Sequence, residues 1–200
     1  MDLTVAALAF AAIFVVELPD KTFIAALVLS TRYRGILVWL GVGLAFLVQT
    51  GIAVGLGKAA TFLPADLVKG AAVLIFLTGA VLLVREAPRA DAEEHDTEEE
   101  VAARVRADRT GWRAVLTSFL VLFAAEWGDL SQLLTISLVG RHDDPVSVFL
   151  GAWGALLAVS GLAVVAGRFL LRHVRLSVVH YVGAGVCLVL AFATAYELLR

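Results

Sequence analysis

The chain has 200 residues, 60% of them hydrophobic and only 17% charged, with a formal net charge of −2 and a mean hydropathy of +0.91. Soluble domains sit near half apolar with about a quarter of their residues charged, so an ordinary soluble domain is excluded. A single cysteine, Cys187, excludes a disulfide framework and a thiolate metal site, and nothing in the charge balance calls for a nucleic-acid partner.

Roughly 20 apolar residues at about 1.5 Å each cross the hydrocarbon core of a bilayer. Six runs meet that requirement, at about 3–29, 36–57, 67–85, 113–139, 146–168 and 176–198. The expected fold is an all-α integral membrane protein of six transmembrane helices. The first run lacks a basic leader and carries Glu17, Asp20 and Lys21, so a membrane span is expected there rather than a cleavable signal.

In chain order, the first run should be a helix with a fault at Pro19. The ring removes an N–H and clashes with the carbonyl of Val15, and Leu18 before it is pushed from helical dihedrals. A broken helix at membrane depth is tolerated only where it faces protein or a wet cavity. The second run carries Gly41, Gly43, Gly51, Gly55 and Gly57, small residues that let helices approach closely in lipid. Its one strongly polar side chain is Gln49, expected either to line a pathway or to bond a neighbouring helix. The third run ends at Arg85. Residues 86–111 then form a charged linker, an acidic block followed by a basic one. Within it Thr97-x-x-Glu100 reads as a capping box and predicts a short exposed helix.

The second half repeats the first. Glu17-Leu18-Pro19-Asp20-Lys21-Thr22 is matched by Glu126-Trp127-Gly128-Asp129-Leu130-Ser131, both E-x-[PG]-D-x-[TS], with the glutamates 109 positions apart (17 to 126). Leu40-Gly41 meets Leu150-Gly151, and Thr50-Gly51 meets Ser160-Gly161, at an offset of 110. The domains expected are therefore a three-helix repeat at 1–85, the linker at 86–111 and a second three-helix repeat at 112–200. Three spans per half is odd, so the second half must enter the membrane inverted, an arrangement common in transporters with the substrate site at the midplane. Eleven Lys and Arg residues fall on the linker side and four on the other. The positive-inside rule then places the linker in the cytoplasm and both termini outside a cell (inner) membrane, as a multi-pass protein.

Carboxylates at the centre of an apolar span cost a few kcal/mol or more each and are rare. Glu17 with Asp20, and Glu126 with Asp129, lie at i, i+3 and would share a helical face. Packed as an inverted pair, the halves would bring four carboxylates together, offset only by Lys21. That leaves a charge of about −3, which a dry site will not sustain. Protons shared across the coupled cluster would neutralise it, and so would a divalent cation. Carboxylates, the hydroxyls of Thr22 and Ser131, the amide of Gln132 and carbonyls freed at the Pro19 and Gly128 breaks are oxygen donors, suited to Mg²⁺, Ca²⁺ or Mn²⁺ rather than Cu or Zn. Because cation and proton would compete for one set of oxygens, the chemistry is that of an exchanger. A buried structural network is the plainer alternative, but Lys21 can pair with only one acid. An exporter of small amino compounds would use the carboxylates on an ammonium group, yet offers only Lys21 for a substrate carboxylate. An intramembrane aspartyl protease would leave the two glutamates and the repetition unexplained.

The twin phrases resemble the E-x-G-D-[KR]-[TS] motifs of a small membrane family of cation exchangers that includes Golgi and chloroplast Mn²⁺/Ca²⁺ transporters and bacterial manganese exporters. The resemblance runs through both halves and the charged loop, and includes the E-W-G-D-x-S-Q form of the second motif. It implies that Glu17, Asp20, Glu126 and Asp129 bind the ion, with Thr22, Ser131 and Gln132 in support. It implies Mn²⁺ or Ca²⁺ and H⁺ as transported species, no resident cofactor, and a bilayer setting in which a homodimer is compatible. Two positions depart from the pattern: Pro19 stands where the family usually has glycine, and Leu130 where it usually has Lys or Arg.

Overall fold

The structure, a computed structural model, describes residues 1–18, 21–60, 62–88, 111–142, 144–173 and 176–199, with only the backbone at 21, 65, 167–173, 176, 179 and 197. Pro19, Asp20 and the short helix expected near Thr97 lie outside the described residues. Among those described, all secondary structure is helical. In order they form α1 (Leu3–Glu17), α2 (Lys21–Arg32), α3 (Gly35–Ala60), α4 (Ala65–Glu86), α5 (Trp112–Ala125), α6 (Leu130–His142), α7 (Pro145–His173) and α8 (Leu176–Leu199).

Helices α3, α4 and α7 are each long and apolar enough to cross a bilayer alone. The α1–α2 and α5–α6 pairs qualify only together, their axes bent by 71° and 74° at short breaks. The described part of α8 has a shorter apolar stretch, His180–Tyr196. The protein is thus all-helical with three to five candidate membrane spans among the described residues. Its outer surface carries large apolar side chains such as Val81, Val165, Val189 and Phe192, the pattern of a face covered by lipid.

The two broken pairs pack around a central crossing of α3 and α7. α3 lies against α5, α6 and α7, while α7 lies against α1, α2 and α3; α4 and α8 pair on the flank. Two indoles pin the crossing. Trp39 Nε1 donates to the Leu157 carbonyl (3.0 Å) and Trp153 Nε1 to the Gly43 carbonyl (3.1 Å). Position 39 meets 157 and 43 meets 153, so the helices run antiparallel.

Glycines set the closest approaches. A methyl group on Gly41 would run into the Val115 carbonyl and lie 2.9 Å from Ser118 Cβ, while one on Gly151 would run into the Ala6 carbonyl and lie 3.0 Å from Ala9 Cβ. Residues 41 and 151 correspond in the two halves, as do 6 with 115 and 9 with 118, so one contact is made twice. Small residues at such crossings let dispersion forces act between backbones, the main attraction left when both helices already sit in lipid.

At one end of the bundle Asp2 and Asp144 tie α1 to α7. The Ser147 hydroxyl donates to Asp144 (2.7 Å), and the Asp2 N–H donates to both Asp144 (2.9 Å) and Ser147 Oγ (2.8 Å). The Ser147 hydroxyl and N–H hold the Asp144 carboxyl below the usual carboxylate range.

Replacing Gly41 by Val should overpack the α3–α5 contact and cost about 1–3 kcal/mol, read as a lower melting temperature in detergent. Gly51, with open space around its Cβ position, should accept Ala without loss. Equal melting temperatures for the two variants would contradict the close approach.

Candidate metal centre

The second acidic phrase is a break in a helix, held open by side chains. α5 ends at Ala125, and Glu126 leaves helical geometry (φ −99°, ψ 14°) while its N–H still reaches the Leu122 carbonyl. Gly128 has φ +80°, a region open to glycine and costly for residues with a Cβ. Gln132, one turn into α6, braces the turn from both sides. Its Nε2 donates to the Glu126 carbonyl (2.9 Å), and its Oε1 accepts from the Gly128 N–H (3.3 Å). Gln49 of α3 donates to the Phe123 carbonyl (3.1 Å), an acceptor in the last turn of α5 with no helical N–H ahead of it. Asp129 precedes α6 and accepts from the Ser131 N–H at 3.5 Å, as a capping aspartate does, and from the Ser131 hydroxyl at 3.1 Å.

This geometry differs from a shared helical face at i, i+3. Glu126 and Asp129 lie on either side of the turn, so the bend rather than helical periodicity brings their carboxylates together. Glu17 comes from the far end of the chain, as the last residue of α1. One carboxylate oxygen from each of Glu17, Glu126 and Asp129 lies within 4.8 Å of the others. Glu17 is 0% exposed and Glu126 5%. Two charges at that separation repel by about 3–4 kcal/mol at an effective dielectric of about 20, a repulsion that a cation among them would offset. The spacing suits one: an ion with metal–oxygen distances of about 2.3–2.6 Å reaches oxygens up to about 5 Å apart.

A family profile described as the divalent cation/proton antiporter GDT1 matches residues 5–91 and 114–200. The chain belongs to the GDT1 family. The matched stretches start 109 positions apart, the spacing of Glu17 and Glu126. Among its relatives is a GDT1-like protein of Synechocystis, 35% identical over 82% of this chain and 85% of its own. The chloroplastic PAM71 protein of Arabidopsis is 31% identical over 95% of this chain, which spans only 56% of that relative's length. A Vibrio cholerae protein named as a manganese exporter is 29% identical over 97% of this chain and 92% of its own. No solved structure matches the chain.

In this GDT1-family chain the candidate residues divide by what they touch. Glu17, Glu126 and Asp129 converge. Asp20 and the Lys21 side chain lie outside the described residues. Ser131 orients Asp129, whereas the amide of Gln132, a candidate oxygen donor, bonds to the Glu126 carbonyl at the break, and Gln49, expected to line a pathway or to bond a neighbouring helix, makes the interhelical bond. Thr22 corresponds to Ser131, and its hydroxyl is fully buried without a hydrogen-bond partner among the described residues. Sequence reading passed over Thr50 and Thr135, which with Gln49, Glu126, Ser131 and Gln132 line a cavity of about 10 Å³, near the minimum for one water. The signal for Thr135 was its spacing of four from Ser131, which puts both on one helical face. On its other side Glu126, together with Asp129, borders an open cleft of about 440 Å³ between α4 and the break.

Gly128→Ala should strain the turn by about 1–2 kcal/mol and lower the melting temperature, and Gln132→Ala should do so by removing both bracing bonds. A Gln132→Ala protein as stable as its parent would show that the brace does not hold the break.

Proposed function

We propose that this chain is a secondary transporter that exchanges a divalent cation, Mn²⁺ or Ca²⁺, for protons and carries the cation out of the cytoplasm. Glu17, Asp20, Glu126 and Asp129 are the ligands in this reading, with Thr22 and Ser131 in support. The observation that carries it is the convergence of Glu17 with Glu126 and Asp129 inside an apolar bundle. Either a metal ion or protons can bring positive charge to that cluster. Occupancy by one displaces the other, which couples the two fluxes. The GDT1 family's cation/proton exchange is the same coupling, and the relative named as a manganese exporter favours Mn²⁺ and the outward direction.

The architecture that goes with this reading is six spans in two inverted three-helix halves. It is supported by the antiparallel α3–α7 crossing, by the matched Gly41 and Gly151 contacts, and by the family match to two equal stretches. The excess of Lys and Arg on the linker side puts the linker in the cytoplasm and both termini outside a cell membrane.

In proteoliposomes carrying an inward proton gradient, the parent should move Mn²⁺ against the proton flux, seen with a metal-sensitive and a pH-sensitive dye together. Glu17→Gln, Glu126→Gln and Asp129→Asn should each abolish both signals. Ser131→Ala, which loses the bond orienting Asp129, should weaken metal affinity about 10–100-fold. Mn²⁺ should also raise the parent's melting temperature, by less as the pH falls, since protons then occupy the carboxylates. Correctly folded carboxylate variants that transport like the parent would overturn the site.

A further inference from the structure

We infer that the cleft between α4 and the α5–α6 break is the route by which the cation reaches the carboxylates from the linker side, with Glu86 at its mouth as a capture residue. This rests on the cation reading above and assigns it an access path that the acidic phrases do not contain. Glu126 and Asp129 border the cleft part-way along, with Leu74, Ile75 and Leu133 beyond them, and Thr78, Leu82 and Glu86 line its α4 wall toward the linker. Those three recur every four residues, a single stripe along one helix. α4 meets the break at Gly79, where an added methyl would lie 2.8 Å from Leu130 Cδ1. Glu86 is seven residues further on, about 10 Å along the axis, and is the last residue of α4 before the chain passes to the linker. The cleft therefore runs from the buried carboxylates to the end of the helix on the linker side.

The cleft exists because the packing of the two halves differs at this place. α1 packs along α8, but its counterpart α5 has no comparable packing with α4 among the described residues. Space left at that missing contact is what opens Glu126 and Asp129 to the outside. Glu17, on the better-packed side, is sealed, and the cavity on the Gln49 side of Glu126 is far smaller. Access to the cluster in this state is one-sided. An apolar tail could fill an ordinary groove between helices, but three carboxylates along this one make it hostile to lipid and attractive to a hydrated cation. At about 10 Å from the α4–Leu130 contact Glu86 acts through its field rather than as a ligand.

The test uses full-length protein in proteoliposomes with Mn²⁺ as the probe. Glu86→Gln should raise KM about two- to fourfold at low salt, the effect of one charge on a divalent ion over about 10 Å of water, with kcat unchanged. Added salt should raise the parent's KM toward that of the variant, and Glu86→Asp should keep the parent's KM. A Glu86→Gln protein with the parent's KM and salt dependence, or one that loses kcat instead, would overturn the capture role. Separately, Leu82→Cys in a Cys187→Ser background should react with a membrane-impermeant maleimide from the linker face alone. Reaction only with a lipid-soluble maleimide would mean that lipid fills the cleft and would overturn the route. Because labelling needs no transport, it reports on the cleft even if Glu126→Gln were to leave Mn²⁺ flux intact and so refute the metal site itself.

Discussion

One carboxylate oxygen from each of three acids, drawn from the two halves of a 200-residue chain, lies within 4.8 Å of the others, with Gln49, Thr50, Ser131, Gln132 and Thr135 around Glu126. Glu17 and Glu126 are buried there while Asp129 borders the open cleft, and mutual repulsion rises as the medium becomes less polar. Everything else about the molecule is consistent with holding that arrangement and supplying it with positive charge. A divalent cation or protons would offset that repulsion, and these are the two species that the description of the GDT1 family names.

Placing main chain and acids together at that depth requires interrupting helices, and an interrupted helix exposes carbonyls that must find donors. The two glutamines meet that need. Gln132 spans the Glu126–Gly128 turn, and Gln49 reaches across from α3 to the end of α5. Gln132 looks like a ligand by residue type alone and Gln49 like a pathway lining or an interhelical bond, and in both the amide serves the backbone. Ser131 has a related task on a side chain, turning Asp129 by a bond to one of its oxygens. The acids are thereby positioned by a shell of ordinary hydrogen bonds.

The halves correspond closely where they pack and diverge where they do chemistry. The glycine contacts at Gly41 and Gly151 are near copies. By contrast Gln49 is matched by Val159, Gln132 by Phe23 and Thr135 by Ala26, so the polar cavity beside Glu126 has no equally polar counterpart in sequence beside Glu17. The same inequality separates the sealed Glu17 from Glu126, which borders the open cleft. A perfect twofold would leave both sides equally open or equally closed. The departures let one side of the cluster face solvent while the other is shut.

Much of this was legible in the residues alone. Apolar runs located the helices to within a few positions, because length and hydropathy are local properties. Pro19 and Gly128 marked where two of them break, and the recurring acidic phrase singled out the carboxylates. The sequence could not say that Glu126 and Asp129 lie on either side of a turn, since i, i+3 spacing looks the same whether or not the helix continues. Nor could it tell a ligand from a brace at Gln49 and Gln132, because that depends on which carbonyls the break exposes. Composition and spacing by themselves determined an all-helical chain with buried acids and small residues at helix contacts. Only the tertiary structure decided that Glu17 meets its counterparts and that the approach to them opens beside α4. Contacts between residues more than a hundred positions apart are set by how whole helices pack, and no local pattern encodes them.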